Sequence, residues 1–425
     1  MEHNVTSNSP VTGGRSLTSG WLVSHTSAGL VTEPDELREH GLSWIAGRVP
    51  GTVAQIFTDF SEHNNLDDFD WWYQCSFDGV ELLANQLLFL RLEGLATLAD
   101  VWINGRLILQ SNNMFVANKV DITSELKDVN TVTICFRSLT EFLSARRARP
   151  RWKTNLVNHQ QLRWVRTTLL GRIPGWTPSV PPVGPWKGIR LEQVAFFELL
   201  SSRLTTQLIG LNGKVEACFT IEPLSKEMVI ASAFLNVGET KIPLDVSSCD
   251  QQTGYFSVTG DQEIEAVKQW WPYTHGEPEL YECSLVLTTS EGVFDFPLGN
   301  RGFKAIELEN NELTTGFKIN GIDVFCRGAC WTVNDFITLI GDKSKLEESL
   351  ILARAAGINM LRIGGTMVYE CDEFYDICDQ LGIMVWQDFM FAGSLYSDDE
   401  HFLQNINQNT CVLSIISEVN CFIRV

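Results

Sequence analysis

Short apolar segments separated by turns fill the first half of the chain. Residues Leu87–Leu92 read LLFLRL, Val101–Ile103 precede the turn dipeptide Asn104-Gly105, and a further apolar segment runs from Thr131 to Phe136. Asn-Gly between two apolar segments is a strong β-hairpin signal. Several short strands at regular spacing are typical of a β-sandwich or a jelly roll. The pattern therefore predicts a β-sandwich domain over residues 1–195.

Two non-strand segments interrupt this domain. Residues 139–149 predict one short helix that ends at Pro150. Residues 172–186 (RIPGWTPSVPPVGPW) contain five prolines, a density that no helix or central strand tolerates. We expect an ordered loop there, because Trp176 and Trp186 can anchor it.

Apolar alternation returns in residues 196–305. Val215, Ala217 and Phe219 alternate with polar residues, and Leu285 and Leu287 do the same further on. Turn signals separate these segments. A second, smaller antiparallel β-sandwich follows from this pattern.

The spacing of apolar residues changes in residues 306–425, where predicted strands alternate with predicted helices. Strands are predicted at Asp323–Arg327, Asn359–Ile363 and Ile383–Trp386. Between them, one helix begins after the N-cap residue Asp342, and a second spans Asp372–Leu381. Strands alternating with helices indicate a parallel sheet, which is either an open doubly wound sheet or the start of a (β/α)₈ barrel. No glycine-rich phosphate loop follows any of these strands, so nucleotide binding is not indicated.

Charge and composition narrow the class of protein. The 425-residue chain has a net charge of −20, which disfavours nucleic acid as a partner. It contains no apolar stretch long enough to cross a membrane, and its polar N-terminus does not resemble a secretory signal. The 11 cysteines include no C-x-x-C pair, a usage that suits reduced thiols and a cytoplasmic location and gives no reason to expect a bound metal. Oligomeric state is not predicted.

The basic run Arg146–Arg151 has two interpretations. Clustered arginines can bind nucleic acid. In so acidic a protein, however, a solvated helix end that balances local acidic residues is the favoured interpretation.

Several motifs, in a fixed order, resemble glycoside hydrolase family 2. Residues Leu90–Phe115 are similar to its sugar-binding jelly roll, and Trp270–Tyr281 to the end of its immunoglobulin-like domain. The motifs RGACWTVNDF (Arg327–Phe336), NMLRIGG (Asn359–Gly365) and the segment Tyr369–Ala392 are similar to the β-mannosidase branch of the family.

The resemblance implies a fold class and an activity. The fold is multidomain β and α/β: a jelly-roll β-sandwich (1–195), an immunoglobulin-like β-sandwich (196–305), and the first β/α units of a truncated (β/α)₈ TIM barrel (306–425). The activity is retaining hydrolysis of a terminal β-linked sugar, with carbohydrate as the partner and no cofactor. Retaining hydrolysis needs two carboxyl groups about 5–5.5 Å apart.

Neither of the family's catalytic glutamates is recognisable here. The resemblance places the acid/base in an Asn-Glu pair after the fourth barrel strand, and the nucleophile near the seventh. The only glutamates after the third predicted strand are Glu400 and Glu418, and the neighbours of Glu418 do not match the motif. We therefore expect this polypeptide to be inactive alone. The alternative function is a non-catalytic carbohydrate-binding fragment or truncated gene product.

The last residues depart from the family pattern. Between Asn407 and Val425 the only charged residues are Glu418 and Arg424, whereas the family continues with a charged amphipathic helix. A shifted reading frame and a natural truncation are the two explanations.

Four candidate substrate-binding residues follow predicted barrel strands, where barrel active sites form. They are Arg362, Trp386, Asp388 and Asp335. The resemblance places the Arg and Trp positions in the innermost sugar subsite. In the alternative interpretation, Arg362 and Asp388 form an ion pair that braces the barrel mouth. Glu370 and Asp372 begin a helix, where carboxylates are favoured by the helix dipole without any role in binding.

A fifth candidate, Trp176, lies in the proline-rich loop. The resemblance aligns it with the second Trp of the Trp-Asp-Trp-Gly-Pro run that reaches the active site of β-mannosidases, and it puts Gly175 in place of the Asp. That substitution weakens the case for mannose. Arg163, Arg166 and Arg172 precede the loop and either compensate towards a negatively charged sugar or, as we favour, form salt bridges with acidic residues.

Overall fold

Antiparallel strands dominate the computed structural model, which describes residues 11–57, 65–83, 85–248, 254–310, 315–407 and 422–423. These residues form a predominantly β, multidomain protein with sandwich-like sheets, as predicted. Three units follow one another along the chain. The first two are all-β, and the third adds helices between parallel strands.

The first unit is a sandwich of two antiparallel sheets. One sheet has the strand order β1-β10-β5-β8 and the other β3-β2-β4-β9-β6-β7. The strands are β1 (Val11–Ser16), β2 (Leu22–Ser27), β3 (Ile45–Ala46), β4 (Phe69–Asp78), β5 (Gln86–Leu92), β6 (Ala99–Ile103), β7 (Arg106–Ser111), β8 (Asn118–Asp121), β9 (Val129–Phe136) and β10 (Ile189–Ala195). The short 3₁₀ helices are Pro34–His40, Val53–Ile56, Leu66–Asp68, Thr123–Glu125 and Gln160–Trp164.

Alternation of side chains along the strands produces the core of this sandwich. Trp71 and Tyr73 of β4 and Leu88 and Leu90 of β5 point into the same apolar cluster from opposite sheets. Successive residues of a strand face opposite sides of a sheet, so every second residue points into this core. The Asn104-Gly105 turn joins β6 to β7 as the sequence predicted, with both residues at positive φ.

The helix predicted at 139–149 is shorter than expected. Helix α1 spans Leu139–Ser144. Beyond it, the chain turns back so that the Arg147 guanidinium lies over the Phe142 ring and donates to Phe142 O at 2.8 Å. This side chain takes the place of the backbone donors that would have continued the helix.

The second unit contains seven antiparallel strands in the order β11-β12-β15-β14-β13-β16-β17. They are β11 (Phe197–Ile209), β12 (Asn212–Pro223), β13 (Ile230–Val237), β14 (Thr240–Ser248), β15 (Phe256–Ile264), β16 (Tyr281–Thr289) and β17 (Gly292–Arg301). Strand β14 pairs with β13 through its first half and with β15 through its second half. The sheet therefore folds over and encloses one core, which contains Val215, Phe219, Leu285 and Leu287.

The third unit begins with a small antiparallel sheet and continues with parallel strands. The antiparallel strands are β18 (Ile306–Asn310), β19 (Thr315–Ile319) and β20 (Ile322–Val324). The parallel part contains β21 (Gly328–Trp331), α2 (Lys343–Ala355), β22 (Met360–Ile363), α3 (Asp372–Leu381), β23 (Met384–Gln387) and β24 (Phe422–Ile423). Residues 400–407 are helical.

The strand predicted at Asp323–Arg327 is wrong in its position. Asp323 belongs to the hairpin β19–β20, and the first parallel strand starts later, at Gly328. The Asn359 side chain causes the break, because it donates to Phe325 O at 3.0 Å and accepts from the Arg327 backbone N–H at 2.8 Å. These bonds satisfy the backbone of 325–327 outside any sheet.

The other two predicted strands and the two predicted helices of the third unit agree with the structure. Strands β21, β22 and β23 pair in parallel register. Asp342 caps α2 by accepting from the Ser344 and Lys345 backbone N–H groups. Gly382, at φ +68°, ends α3. Helices α2 and α3 cover one face of this sheet and share a core with Leu361 and Ile363.

Two general properties can be read from the described residues. None of their helices is long and apolar enough to cross a membrane. The eight cysteines among them are all free thiols.

Candidate functional site

The parallel register of the third unit brings three of the five candidate residues together. Arg362 on β22 lies opposite Trp386 on β23, and Asp388 follows the end of β23. The Arg362 guanidinium carbon lies 5.6 Å from the centre of the Trp386 ring. Both side chains belong to the face of the sheet that α2 and α3 leave uncovered.

Arg362 and Asp388 form a two-point ion pair. Arg362 Nη2 donates to Asp388 Oδ2 at 2.8 Å, and Nε donates to Oδ1 at 3.3 Å. The Gly365 backbone N–H donates to Oδ2 at 3.2 Å. The hydrogen bonds to Asp388 raise the pKa of the Arg362 guanidinium above its usual value, so the side chain stays charged. The pair is the brace considered in the sequence analysis, yet the Arg362 side chain remains 50% exposed, which leaves it accessible to a ligand.

Asp335 lies in the loop after β21 and serves the backbone of that loop. Its Oδ1 accepts from the Ile337 N–H at 2.8 Å and from the Thr338 N–H at 3.3 Å. Within the described residues, no contact joins it to Arg362, Trp386 or Asp388. Its Oδ1 atom is thus occupied in shaping the turn.

Trp176 lies on the proline-rich loop of the first unit and is 50% exposed. Gly175 before it has φ +75°, with no atom within 4 Å of where a Cβ would be. Trp186, at the other end of the loop, is buried and donates through Nε1 to Met114 O at 2.9 Å. The loop is therefore anchored at Trp186 and presents Trp176 to solvent; in the described part of the chain, Trp176 has no contact with the Arg362 pair.

The three arginines before this loop have separate roles. Arg172 donates to both oxygens of Asp67, at 2.7 and 2.9 Å, which is the salt bridge that we favoured. Arg163 and Arg166 are buried and form no ion pair with a described residue. They donate instead to carbonyl oxygens, Arg163 to Leu395 O and Arg166 to Met390 O, each at 2.7 Å. Burial lowers the pKa of the Arg166 guanidinium, which lies 4.0 Å from the centre of the Phe391 ring.

These bonds fix the first unit to the mouth of the parallel sheet. Met390 and Leu395 belong to the segment that follows β23, and the Thr168 hydroxyl lies 3.0 Å from Thr366 O and 2.8 Å from Met367 O, after β22. No local sequence pattern reveals this role, because the bonded residues are about two hundred positions apart in the chain.

Glu370 lies just before helix α3 and also accepts a hydrogen bond from Trp331. Trp331 Nε1 donates to Glu370 Oε1 at 2.8 Å. Removal from solvent raises the pKa of Glu370, and the bond from Trp331 and the charge of Lys187 oppose that rise. Asp372 is the first residue of α3. Glu418 lies outside the described residues.

A separate cavity of about 850 Å³ lies between the first unit and helix 400–407. Its lining includes Asp100, Arg137, Asn113 and Asn405. None of the five candidate residues lines it, so the cavity and the Arg362–Trp386–Asp388 cluster are distinct features.

Comparisons with known proteins point to one family. Residues 36–187 match the family model "Glycosyl hydrolase 2 galactose-binding domain-like". A β-mannosidase of Rattus norvegicus is 26% identical over 92% of this chain and 47% of its own length. A β-mannosidase of Capra hircus is 29% identical over 91% of this chain and 49% of its own. The chain thus spans about half the length of these curated relatives.

A solved structure extends the comparison to the fold. The crystal structure of a β-D-mannosidase from Dictyoglomus thermophilum superposes with a TM-score of 0.80 at 26% identity, over 96% of this chain and 51% of that one. The resemblance inferred from the sequence motifs is confirmed by these matches.

Proposed function

Because the chain is a relative of the β-mannosidases of glycoside hydrolase family 2, we propose that it forms the sugar-binding part of an exo-glycosidase that acts on terminal β-linked sugars. The observation that carries this proposal is the cluster of Arg362, Trp386 and Asp388 at the ends of adjacent parallel strands. A guanidinium and a carboxylate offer directed hydrogen bonds to hydroxyl groups, and an indole offers a flat apolar face for a pyranose ring.

The proposal includes the finer architecture. The first unit is a jelly roll (residues 1–195), the second an immunoglobulin-like sandwich (196–305), and β21, β22 and β23 are the first strands of a (β/α)₈ barrel within 306–425. The parallel register and the helical crossovers support the last assignment. Active sites of such barrels lie at the carboxyl ends of the strands, which is where the Arg362 cluster lies.

Trp176 and Asp335 are proposed as outer members of the site. Trp176 is exposed on a loop whose preceding residues are bonded to the mouth of the parallel sheet. The second carboxylate oxygen of Asp335 remains for a ligand hydroxyl, since the backbone N–H groups of the loop are bonded to Oδ1.

The eight free thiols among the described residues support a reducing compartment, and we propose the cytoplasm.

Binding without hydrolysis is the activity proposed for the 425-residue polypeptide itself. The two glutamates after β23, Glu400 and Glu418, do not match the family's catalytic motif. Acid–base and covalent catalysis supply most of the acceleration in a retaining glycosidase. A polypeptide with the sugar subsite alone therefore retains affinity and lacks turnover.

Calorimetric titration with 4-nitrophenyl β-D-mannoside tests this proposal. We expect saturable binding without release of nitrophenol, and a loss of affinity of about tenfold or more in Arg362→Ala, because hydrogen bonds from a charged donor are removed. Arg106→Ala, which breaks the exposed pair with Glu125 in the first unit, is the matched control. Equal affinity of Arg362→Ala and the unsubstituted chain would contradict the proposed site.

A further inference from the structure

Acidic residues are absent from one long segment of this acidic protein. Residues 142–191 contain no Asp or Glu, although the whole chain contains 52 of them. The same fifty residues contain ten Lys and Arg. A protein of net charge −20 thus has one continuous basic segment, and that segment includes the loop carrying Trp176.

The inner part of this segment uses its cations within the protein. Arg172 is paired with Asp67, and Arg163 and Arg166 donate to backbone carbonyls at the mouth of the parallel sheet. These side chains are mostly buried, so their charges serve the packing of the first unit against the third.

The outer part of the segment leaves its cations in solvent. We define the basic loop as residues 145–156. Arg146, Arg149, Arg151 and Lys153 of this loop are exposed, and none of them forms an ion pair with any residue that the structure describes. These four exposed cations lie close together in sequence, at positions 146–153, so they form a local concentration of positive charge.

Contacts place the basic loop beside the segment that follows β23. Arg163 bridges the two: its Nη2 donates to Ala148 O at 3.0 Å and its Nη1 to Leu395 O at 2.7 Å. Leu156 packs against Gly393 so closely that a Cβ there would lie 2.4 Å from Leu156 Cδ1. The basic loop therefore lies beside residues 393–395, in the segment that follows Asp388.

An aromatic side chain accompanies these cations. Trp152 lies between Arg151 and Lys153 and is 49% exposed. Aromatic faces bind the apolar faces of sugar rings, while arginine forks bind carboxylate or sulfate oxygens in a two-point manner. An exposed indole flanked by cations combines the two functions.

We propose that the basic loop binds an anionic saccharide. The acidic groups of the saccharide would bind Arg149, Arg151 and Lys153, and one of its sugar rings would stack on Trp152. This inference rests on the proposed function, since it places the anionic part next to the sugar at Arg362. The net charge of −20 disfavours an anionic saccharide on most of the protein, so the basic loop determines both the charge and the direction of the bound saccharide.

Two tetrasaccharides that differ only in charge test this inference. β-1,4-Linked tetramannuronate carries a carboxylate on each ring, and β-1,4-linked mannotetraose carries none. Calorimetry with the full chain should give at least about tenfold tighter binding of the acidic tetrasaccharide, and raising the salt concentration should remove most of that advantage.

Reversing the charge of two arginines shows whether the preference for the acidic tetrasaccharide depends on the basic loop. Arg149→Glu/Arg151→Glu should lose the preference for tetramannuronate and keep the affinity for mannotetraose. Arg203→Glu/Lys226→Glu changes the charge by the same amount in the second unit, at exposed positions, and should leave the preference intact. If the reversed variant does not fold, Arg149→Gln/Arg151→Gln supplies the same comparison with milder changes.

The outcomes separate this inference from the proposed function. Binding of mannotetraose alone, sensitive to Arg362→Ala, would overturn the anionic inference and leave the proposed function standing. Binding of neither tetrasaccharide would overturn both. Equal affinity for an oligothymidylate of the same charge would identify nucleic acid as the ligand of the loop and overturn the saccharide inference. Sedimentation that shows salt-dependent dimers with the loop buried between the two copies would overturn it as well.

Discussion

At the scale of single residues, the hydrogen bond between Trp331 and Glu370 joins the end of β21 to the start of α3. Trp331 is buried, and an indole N–H in such a place needs an acceptor. Glu370 supplies one, but its carboxylate is thereby removed from water, which raises its pKa. Burial therefore destabilises the charged form of Glu370, and the bond from Trp331 offsets only part of that effect.

This arrangement predicts a pH-dependent stability. Below the ordinary glutamate pKa of 4.5, Glu370 is protonated in both states and its burial has no ionic cost. As the pH rises, the unfolded state ionises first, so the free energy of unfolding falls until the pH exceeds the raised pKa of the folded state. Glu370→Gln keeps an acceptor for Trp331 and cannot ionise. We expect it to be more stable than the unsubstituted chain at pH 7 and equal to it near pH 4.

Denaturant unfolding at both pH values measures this difference. Glu347→Gln, an exposed carboxylate on α2, is the matched control and should change neither value. A Glu370→Gln variant that is less stable at pH 7 than the parent would show that the ionised carboxylate is stabilising, contrary to this account.

At the scale of elements, a glycine with positive φ follows each of the helices α2 and α3, but the two glycines have different surroundings. Gly357 follows α2 at φ +85° with no atom within 4 Å of a Cβ, whereas a Cβ on Gly382 would lie 2.6 Å from Tyr273 N. Gly382 O also accepts from that N–H at 3.1 Å. The end of α3 is thus the point where the third unit meets the loop before β16.

Alanine substitutions at these two glycines separate conformation from contact. Gly357→Ala should lower the free energy of unfolding by about 1 kcal/mol, the cost of left-handed backbone for a residue with a Cβ. Gly382→Ala should cost at least about 2 kcal/mol, because the added Cβ also pushes the second unit away. Urea unfolding of both variants gives the comparison. Equal losses would mean that the approach of Tyr273 relaxes without cost.

Local signals in the sequence predicted these elements well. The bounds of α3, the Gly382 end and the Asn104-Gly105 hairpin all depend on neighbouring residues, which are visible in the chain. The strand expected at Asp323–Arg327 was misplaced because a distant residue, Asn359, bonds to the backbone of 325–327. The same limit applies to the site: the register of Arg362 and Trp386 follows from the strand pattern, whereas the carbonyl partners of Arg163 and Arg166 do not.

At the scale of the whole molecule, one segment of the first unit determines how the third unit is held. Met114, Leu170 and Trp186 share an apolar cluster with residues of α2 and α3. Hydrogen bonds from residues 163–170 to the loops after β22 and β23 add direction to this packing. The candidate site therefore depends on a contact between units, because the loops that surround Asp388 are those to which the first unit is bonded.

Thr168→Val tests this dependence directly. The substitution keeps the shape of the side chain and removes the hydroxyl that is shared between Thr366 O and Met367 O. Thr366 O keeps the bond from the Leu169 N–H, whereas Met367 O loses this donor and the Leu170 N–H loses an acceptor. Buried polar groups without a partner cost about 1–3 kcal/mol, so amide hydrogen exchange should become faster in 163–170 and in 364–368 together. Thr206→Val, which removes one bond to Gly302 O within the second unit, should leave both segments unchanged. Unaltered exchange in Thr168→Val would mean that the apolar cluster alone holds the first and third units together. The hydrogen bonds would then set the orientation of the loops without adding to the stability of the contact.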